Sequence, residues 1–135
     1  MIEDYLGIQI DYAKEENLSD FSLDTLKDRY FWKEEKYAQQ ALARASVYCA
    51  TYQGVVDYDL AQRLYNYSSS HWFSYSTPIL SNAGTSRGLP ISCFLNHVPD
   101  SRSGLSAHYD ENIWLASGGG GLGGCWSSVR SNGVP

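Results

Sequence analysis

Ala116-Ser117-Gly118-Gly119-Gly120-Gly121-Leu122-Gly123-Gly124-Cys125 carries six glycines in seven residues, next to one of only three cysteines in the chain. Glycine loses more backbone freedom on folding than any other residue, so ordering this run is costly. Two readings compete. A flexible linker would be polar and rich in glycine and serine, whereas Leu122, Cys125 and Trp126 are residues that pack. A main chain that something must approach closely accounts better for glycines beside such neighbours. The run formally contains Gly-x-Gly-x-x-Gly as Gly118, Gly120 and Gly123. A dinucleotide loop, however, needs a strand before it, a helix after it and an acid about 20 residues on. Here a helix is predicted to come first, and CWSSVRSNG has no helical pattern. No Gly-Lys-Ser/Thr follows, which excludes a Walker loop.

Working outward, Leu105, Tyr109, Ile113 and Ala116 recur at helical period and predict one helix, capped by Asp100 or Ser101. Ile91-Ser92-Cys93-Phe94-Leu95, bounded by Pro90 and Asn96, reads as a short buried strand. Thr77-Pro78 favours an extended residue before proline, Asn82-Ala83-Gly84 reads as a turn, and Val129-Arg130 as the start of another strand. Ten of the twelve glycines follow residue 83, so the chain changes character there. The earlier part is helix-like. Ala38, Ala41, Leu42, Ala45, Tyr48, Cys49 and Tyr52 form one apolar stripe whose small alanines admit a close neighbour. Gln53-Gly54 supplies a stop, because glycine tolerates a left-handed C′ position. A second helix is predicted from Asp57, carrying Leu60, Leu64 and Tyr67 and fading into Ser68-Ser69-Ser70. A shorter helix with Leu23, Leu26 and Tyr30 is capped by Ser22 or Asp20.

The 135 residues suffice for one ordinary domain and not for a large enzyme barrel. At 43% hydrophobic and 19% charged, the composition is globular rather than disordered. Eleven tyrosines and four tryptophans supply buried area and material for interfaces. A net charge of −5 argues against general nucleic-acid binding, which needs a basic footprint. No apolar run approaches the roughly 20 residues of a membrane span, and MIEDYLGIQIDYAKEE lacks the basic and apolar regions of a signal peptide. Cys49, Cys93 and Cys125 are odd in number and widely spaced, unlike a disulfide framework or a zinc site, so a reducing cytoplasm is expected.

Individual residues leave alternatives open. Cys93 suits a redox or nucleophilic role, but free cysteine also commonly fills buried space. His71, His97 and His108 share no metal-ligand spacing and read as structural or exposed. Arg102 and Arg130 could hold phosphate through the guanidinium fork, or be solvated or ion-paired.

Taken together, four blocks from Ser76 onward resemble the large (α) subunit of ribonucleotide reductase. They are Ser76-Thr77-Pro78-Ile79-Leu80-Ser81-Asn82-Ala83-Gly84-Thr85, Ile91-Ser92-Cys93-Phe94-Leu95, Asp100-Ser101, and Gly118 to Gly124 followed by Val129-Arg130-Ser131-Asn132-Gly133. Each block alone is weak, and their order and spacing make the signal specific. The likeness covers about residues 76–133 and extends loosely over the preceding helices. It implies an α+β fold: a helical N-terminal domain over residues 1–75, then residues 76–135 as the first strands, helix and Gly-rich loop of an incomplete catalytic α/β barrel.

The same resemblance implies a ribonucleoside-diphosphate reductase function, the reduction of ribonucleotides to deoxyribonucleotides for DNA synthesis. Cys93 would be one of two catalytic cysteines that deliver electrons to the ribose 2′-carbon and become a disulfide, later restored by thiol–disulfide exchange with thioredoxin or glutaredoxin. Thr77, Ser92, Cys93 and the backbone of Gly121 would contact substrate. Asp100, Arg102 and Arg130 fall where the family binds its allosteric effector, a deoxynucleoside triphosphate or ATP, with the acid suited to sugar or magnesium and arginine to phosphate. No metal and no directly bound cofactor are expected on this chain. The radical would come from a dimetal small subunit or from adenosylcobalamin elsewhere in the assembly. In the family the radical-forming cysteine, the second redox cysteine, a neighbouring acid and a C-terminal cysteine pair lie beyond position 135. Cys49 and Cys125 match none of them, and the front ATP-cone domain of many members is not expected on this piece. The expectation is therefore an N-terminal piece that is inactive alone and works with the remaining large-subunit portion and a small subunit. A non-catalytic nucleotide-binding or regulatory remnant is the alternative.

Overall fold

The structure is a computed structural model that describes residues 1–134. The chain folds as two compact units, Met1–Pro90 and a second from Ile91 onward.

The first unit opens with a hairpin that none of the expected elements covered. Strand β1 (Ile2–Tyr5) pairs antiparallel with β2 (Ile8–Asp11), from Ile2 opposite Asp11 to Tyr5 opposite Ile8. Leu6 and Gly7 both take positive φ, 55° and 83°, as a two-residue type I′ connection demands. Alternation turns Ile8 and Ile10 inward, and both are fully buried. Each contributes about 1.5–3 kcal/mol of apolar burial.

A 3-10 turn (Tyr12–Asn17) leads to helix α1 (Asp20–Arg29). Its cap is Ser19, whose hydroxyl accepts from the Ser22 amide, so the cap lies one residue before Asp20 and three before Ser22, the two expected sites. Helix α2 (Ala38–Cys49) follows the predicted alanine stripe, with Ala38, Ala41 and Ala45 buried and Ala43 buried beside them. Tyr48, Cys49 and Tyr52 leave the stripe and are exposed. The Gln53-Gly54 stop is a hairpin turn instead of a helix cap: it joins β3 (Thr51–Tyr52) to β4 (Val55–Val56), with φ of 49° and 80°. Asp57 caps α3 (Tyr58–Ser69) as predicted, its carboxylate accepting from Leu60 N at 2.9 Å. The inward face of α3 is Ala61, Tyr65 and Ser68, with Leu60 and Leu64 partly buried, while Tyr67 turns out and stacks on Trp72.

The core gathers Ile8, Ile10, Ala43, Ala50, Ala61 and Tyr65 where β2, α2 and α3 meet. Completely buried alanines on both helices allow that close approach. The Tyr65 hydroxyl satisfies two buried polar groups, donating to Gln39 Oε1 at 2.9 Å and accepting from Asp11 N at 2.8 Å.

Residues Thr77–Asn82 form a short helix, α4, where an extended piece was expected. Ser76, at ψ 152°, is the extended residue, and Pro78 sits in the first turn, where its missing N–H has no intrahelical partner to lose. Helix α4 packs on α2, and the first compact unit runs on to Pro90.

The second unit is one strand–helix–strand crossover. Strand β5 (Cys93–His97), helix α5 (Arg102–Ser117) and strand β6 (Gly121–Cys125) follow in order, and β5 pairs with β6 in parallel. Parallel strands require such a crossover. Three departures from expectation stand out. Residues 121–125 of the glycine run are a strand and not a loop. Strand β5 is not buried, since Leu95 is 88% exposed. Val129-Arg130 lies in a turn region without strand pairing. The fold is thus mixed helix with three two-stranded sheets among the described residues.

Candidate active site

The glycines of β6 explain themselves through what stands against them. Just before the strand a Cβ on Gly120 would overlap the Phe94 ring, and within it one on Gly124 would come within 2.8 Å of His108 Cε1. The strand survives its poor propensity because neighbouring side chains occupy the space its own would need. Register then places Gly121 directly across from Cys93. Gly121 N donates to the Ser92 carbonyl at 2.6 Å, and the Ser92 hydroxyl lies 3.6 Å from Cys93 Sγ. Cys93 is exposed and free, not space-filling. A Cβ built on Gly121 meets only the Ser92 carbonyl, at 3.4 Å. Ser92, Cys93 and Gly121 therefore form one cluster at the start of the two strands.

Asp100 and Arg130 also meet: Arg130 Nε donates to Asp100 Oδ2 at 2.6 Å. Arg102, the first residue of α5, is exposed. Ser101, the second of the two expected caps, holds that helix start by accepting from Gly104 N at 3.0 Å. Gly104 itself leaves room for Pro99, which a Cβ would strike at 2.7 Å. Thr77 belongs to the first unit, where its hydroxyl lies 3.2 Å from the Tyr30 hydroxyl.

Two groups escaped the sequence reading. Helix α5 turns Leu105, His108, Asn112 and Leu115 inward, not Tyr109 and Ile113. His108 is buried, with its Nε2 3.0 Å from Asn112 Nδ2, and Asn112 Oδ1 accepts from Asn96 Nδ2 at 2.9 Å. This seam ties α5 to β5. Its signal was the three-then-four spacing Leu105, His108, Asn112, hidden because polar residues carry it. At the far end of the ladder, Cys125 pairs with His97. The Ser127 hydroxyl, 3.2 Å from the sulfur, together with the Ser127 amide and His97, lowers the Cys125 thiol to about 7. Among the described residues, no group of three or more His, Cys, Asp or Glu side chains could hold a metal ion, and no helix is long and apolar enough to cross a membrane.

Comparison with known proteins places this geometry in a family. Residues 16–88 match the family described as ribonucleotide reductase, all-alpha domain. The chain is 38% identical over 116 residues to the ribonucleoside-diphosphate reductase large subunit of Invertebrate iridescent virus 6, covering 86% of this chain and 12% of that protein. It is 40% identical over 117 residues to the same-named protein of Invertebrate iridescent virus 3, covering 86% and 18%. Among solved structures, the class Id ribonucleotide reductase alpha subunit of Actinobacillus ureae superposes with a TM-score of 0.71 at 28% identity, over 93% of this chain and 23% of that one. The chain belongs to the ribonucleotide reductase large-subunit family. It spans 12% to 18% of the length of those two viral relatives.

Proposed function

We propose that this chain contributes the front portion of a ribonucleoside-diphosphate reductase large subunit, supplying part of the substrate site and part of the specificity site. The second unit is then the beginning of the catalytic α/β barrel, completed by the remaining large-subunit portion. The name of the viral relatives supports a nucleoside diphosphate as substrate. Cys93 is one of two thiols that become a disulfide. Together they give two electrons and two protons, the 2′-hydroxyl leaves as water, and a C–H bond takes its place. Thioredoxin or glutaredoxin restores the thiols by exchange. A radical-generating small subunit starts the reaction, and the assembly works in the cytoplasm.

In this reading the Ser92 and Thr77 hydroxyls donate to substrate oxygens, and the Gly121 main chain lies against the sugar. Asp100, Arg102 and Arg130 receive a deoxynucleoside triphosphate or ATP. The guanidinium of Arg130 exchanges its carboxylate partner for phosphate, a geometry it fits equally well.

The observation that carries the proposal is the pairing of an exposed thiol at Cys93 with a side-chain-free position, Gly121, directly across the ladder. The test assembles the chain with the remaining large-subunit portion and a small subunit, then replaces Cys93 with serine. Turnover of ribonucleoside diphosphate falls to background while effector binding, followed by calorimetry, is kept. Undiminished turnover overturns the redox assignment. Tight effector binding by the chain alone, with no turnover in any assembly, favours the non-catalytic alternative.

A further inference from the structure

One buried guanidinium organises everything around Thr77. Arg44, on α2, is 5% exposed. Its Nε donates to Glu35 Oε1 at 2.6 Å and its Nη2 to Glu35 Oε2 at 3.2 Å. The remaining donors go to main-chain carbonyls from two other segments. Nη1 reaches Ala83 O at 2.6 Å, and Nη2 reaches Leu80 O at 3.0 Å and Tyr30 O at 3.2 Å. Leu80 and Ala83 are the C-terminal half and cap of α4, the six-residue helix that begins with Thr77. Tyr30 is the cap residue of α1.

These bonds close a ring. Arg44 holds the backbone of Tyr30 on one side and the far end of α4 on the other. On the opposite side of that ring the Tyr30 and Thr77 hydroxyls meet at 3.2 Å. Gly84 completes the arrangement, because a Cβ there would press to 3.0 Å on Arg44 Cγ and its φ of +71° disfavours a side chain in any case. A buried guanidinium needs a partner for each of its N–H groups, and which segments supply those partners decides what it holds in place. This one spends three donor contacts on the two segments whose hydroxyls touch.

We propose that Arg44 is a positioning residue for substrate binding, acting through the Tyr30–Thr77 hydroxyl pair. It sets where the Thr77 hydroxyl stands, and Tyr30 sets which way that hydroxyl points. The inference rests on the reading of Thr77 as a substrate contact. Lysine cannot replace the guanidinium here, since a point charge reaches Glu35 but not three carbonyls at fixed angles.

The experiment uses the assembled reductase with a ribonucleoside diphosphate and compares four variants: Thr77→Val, Arg44→Lys, the two combined, and Tyr30→Phe. Loss of a hydrogen bond to a charged group predicts that Thr77→Val raises KM about tenfold. Arg44→Lys raises KM by a similar factor, leaves kcat within about twofold, and adds nothing to Thr77→Val in the double variant, as expected for residues acting as one unit. Amide exchange across α3, read on the same assembly, is unchanged throughout, which an unfolding first unit would not allow. Tyr30→Phe, which deletes one exposed hydroxyl, raises KM about threefold and decides the matter if Arg44→Lys fails to fold. Multiplicative effects in the double variant, or normal KM in both Arg44→Lys and Tyr30→Phe, overturn the inference while leaving the substrate role of Thr77 standing. A normal KM for Thr77→Val overturns that role and the inference with it.

Discussion

The two units differ in how much of their stability lies within themselves. The first wraps a hairpin and two helices around Ile8, Ile10, Ala43, Ala61 and Tyr65, all buried, and pairs its deepest charges with each other. In the second, Val98 and His108 are the only buried residues among those described. Its apolar side chains face outward instead: Leu95 is 88% exposed, Trp114 72% and Ile113 67%. Parallel strand pairs are ordinarily covered on both faces, and exposed apolar patches mark surfaces that meet something. Large apolar side chains stand exposed on the first unit as well, Phe21 and Trp72 among them, so the two differ in the buried cluster that only the first has closed around.

The sharpest way to break that contrast is Glu35→Ala. It strands the Arg44 guanidinium in a buried site and costs the first unit about 3–5 kcal/mol, visible as a lowered denaturation midpoint, with amide exchange across β5 and β6 unaltered. Exchange that rises equally in both units would show them to be one cooperative body. Next in size is Gly120→Ala, which forces a methyl into the Phe94 ring. Overpacking of this kind costs about 1–3 kcal/mol, and the loss appears as faster exchange in β5, β6 and α5 alone. Smaller and paired are the cap deletions Asp57→Ala and Ser101→Ala, each costing about 1 kcal/mol. The first loosens α3 only and the second α5 only, as exchange measured residue by residue will show.

The smallest effect touches reactivity and leaves stability alone. The Cys125 thiol, lowered to about 7 by the Ser127 hydroxyl first, becomes thiolate as pH rises through that value. Alkylation with iodoacetamide is therefore near half its maximal rate at about pH 7 and falls as pH drops below it. Burial pushes the Cys49 thiol up, so Cys49 lags behind. Ser127→Ala shifts the Cys125 profile to higher pH. An unchanged midpoint would remove the serine from the account.

Legibility in the sequence follows the same division. Helix α2 was readable because alanines at helical spacing bury a stripe, and α3 because Asp57 stands just ahead of Leu60, Leu64 and Tyr67 at helical spacing. The α1 cap was missed because Ser19 and Ser22 stand three apart, each a plausible cap, and only Ser19 accepts the other's amide. Thr77-Pro78 misled because a proline in a helix's first turn and a proline after an extended residue share the same dipeptide. The β6 strand had no readable signal: Gly-Leu-Gly-Gly-Cys has almost no strand propensity, and its cause lies in Phe94 and His108, distant in sequence. The inward face of α5 was misplaced because hydrophobicity marks buried faces only where a core is complete. In the second unit the polar His108 and Asn112 are inside while Ile113 is out. Of the candidate site, the association of Cys93 with the glycine run was foreseen by resemblance, whereas the partnership of Arg44 and Tyr30 around Thr77 needed coordinates.

The first rung of the parallel ladder has one last consequence. Position 121, across from Cys93, carries no side chain, yet a methyl built there would meet nothing nearer than the Ser92 carbonyl at 3.4 Å. The fold itself tolerates a small group at that point, so activity lost on Gly121→Ala would report a reactant resting on bare main chain and not a damaged strand.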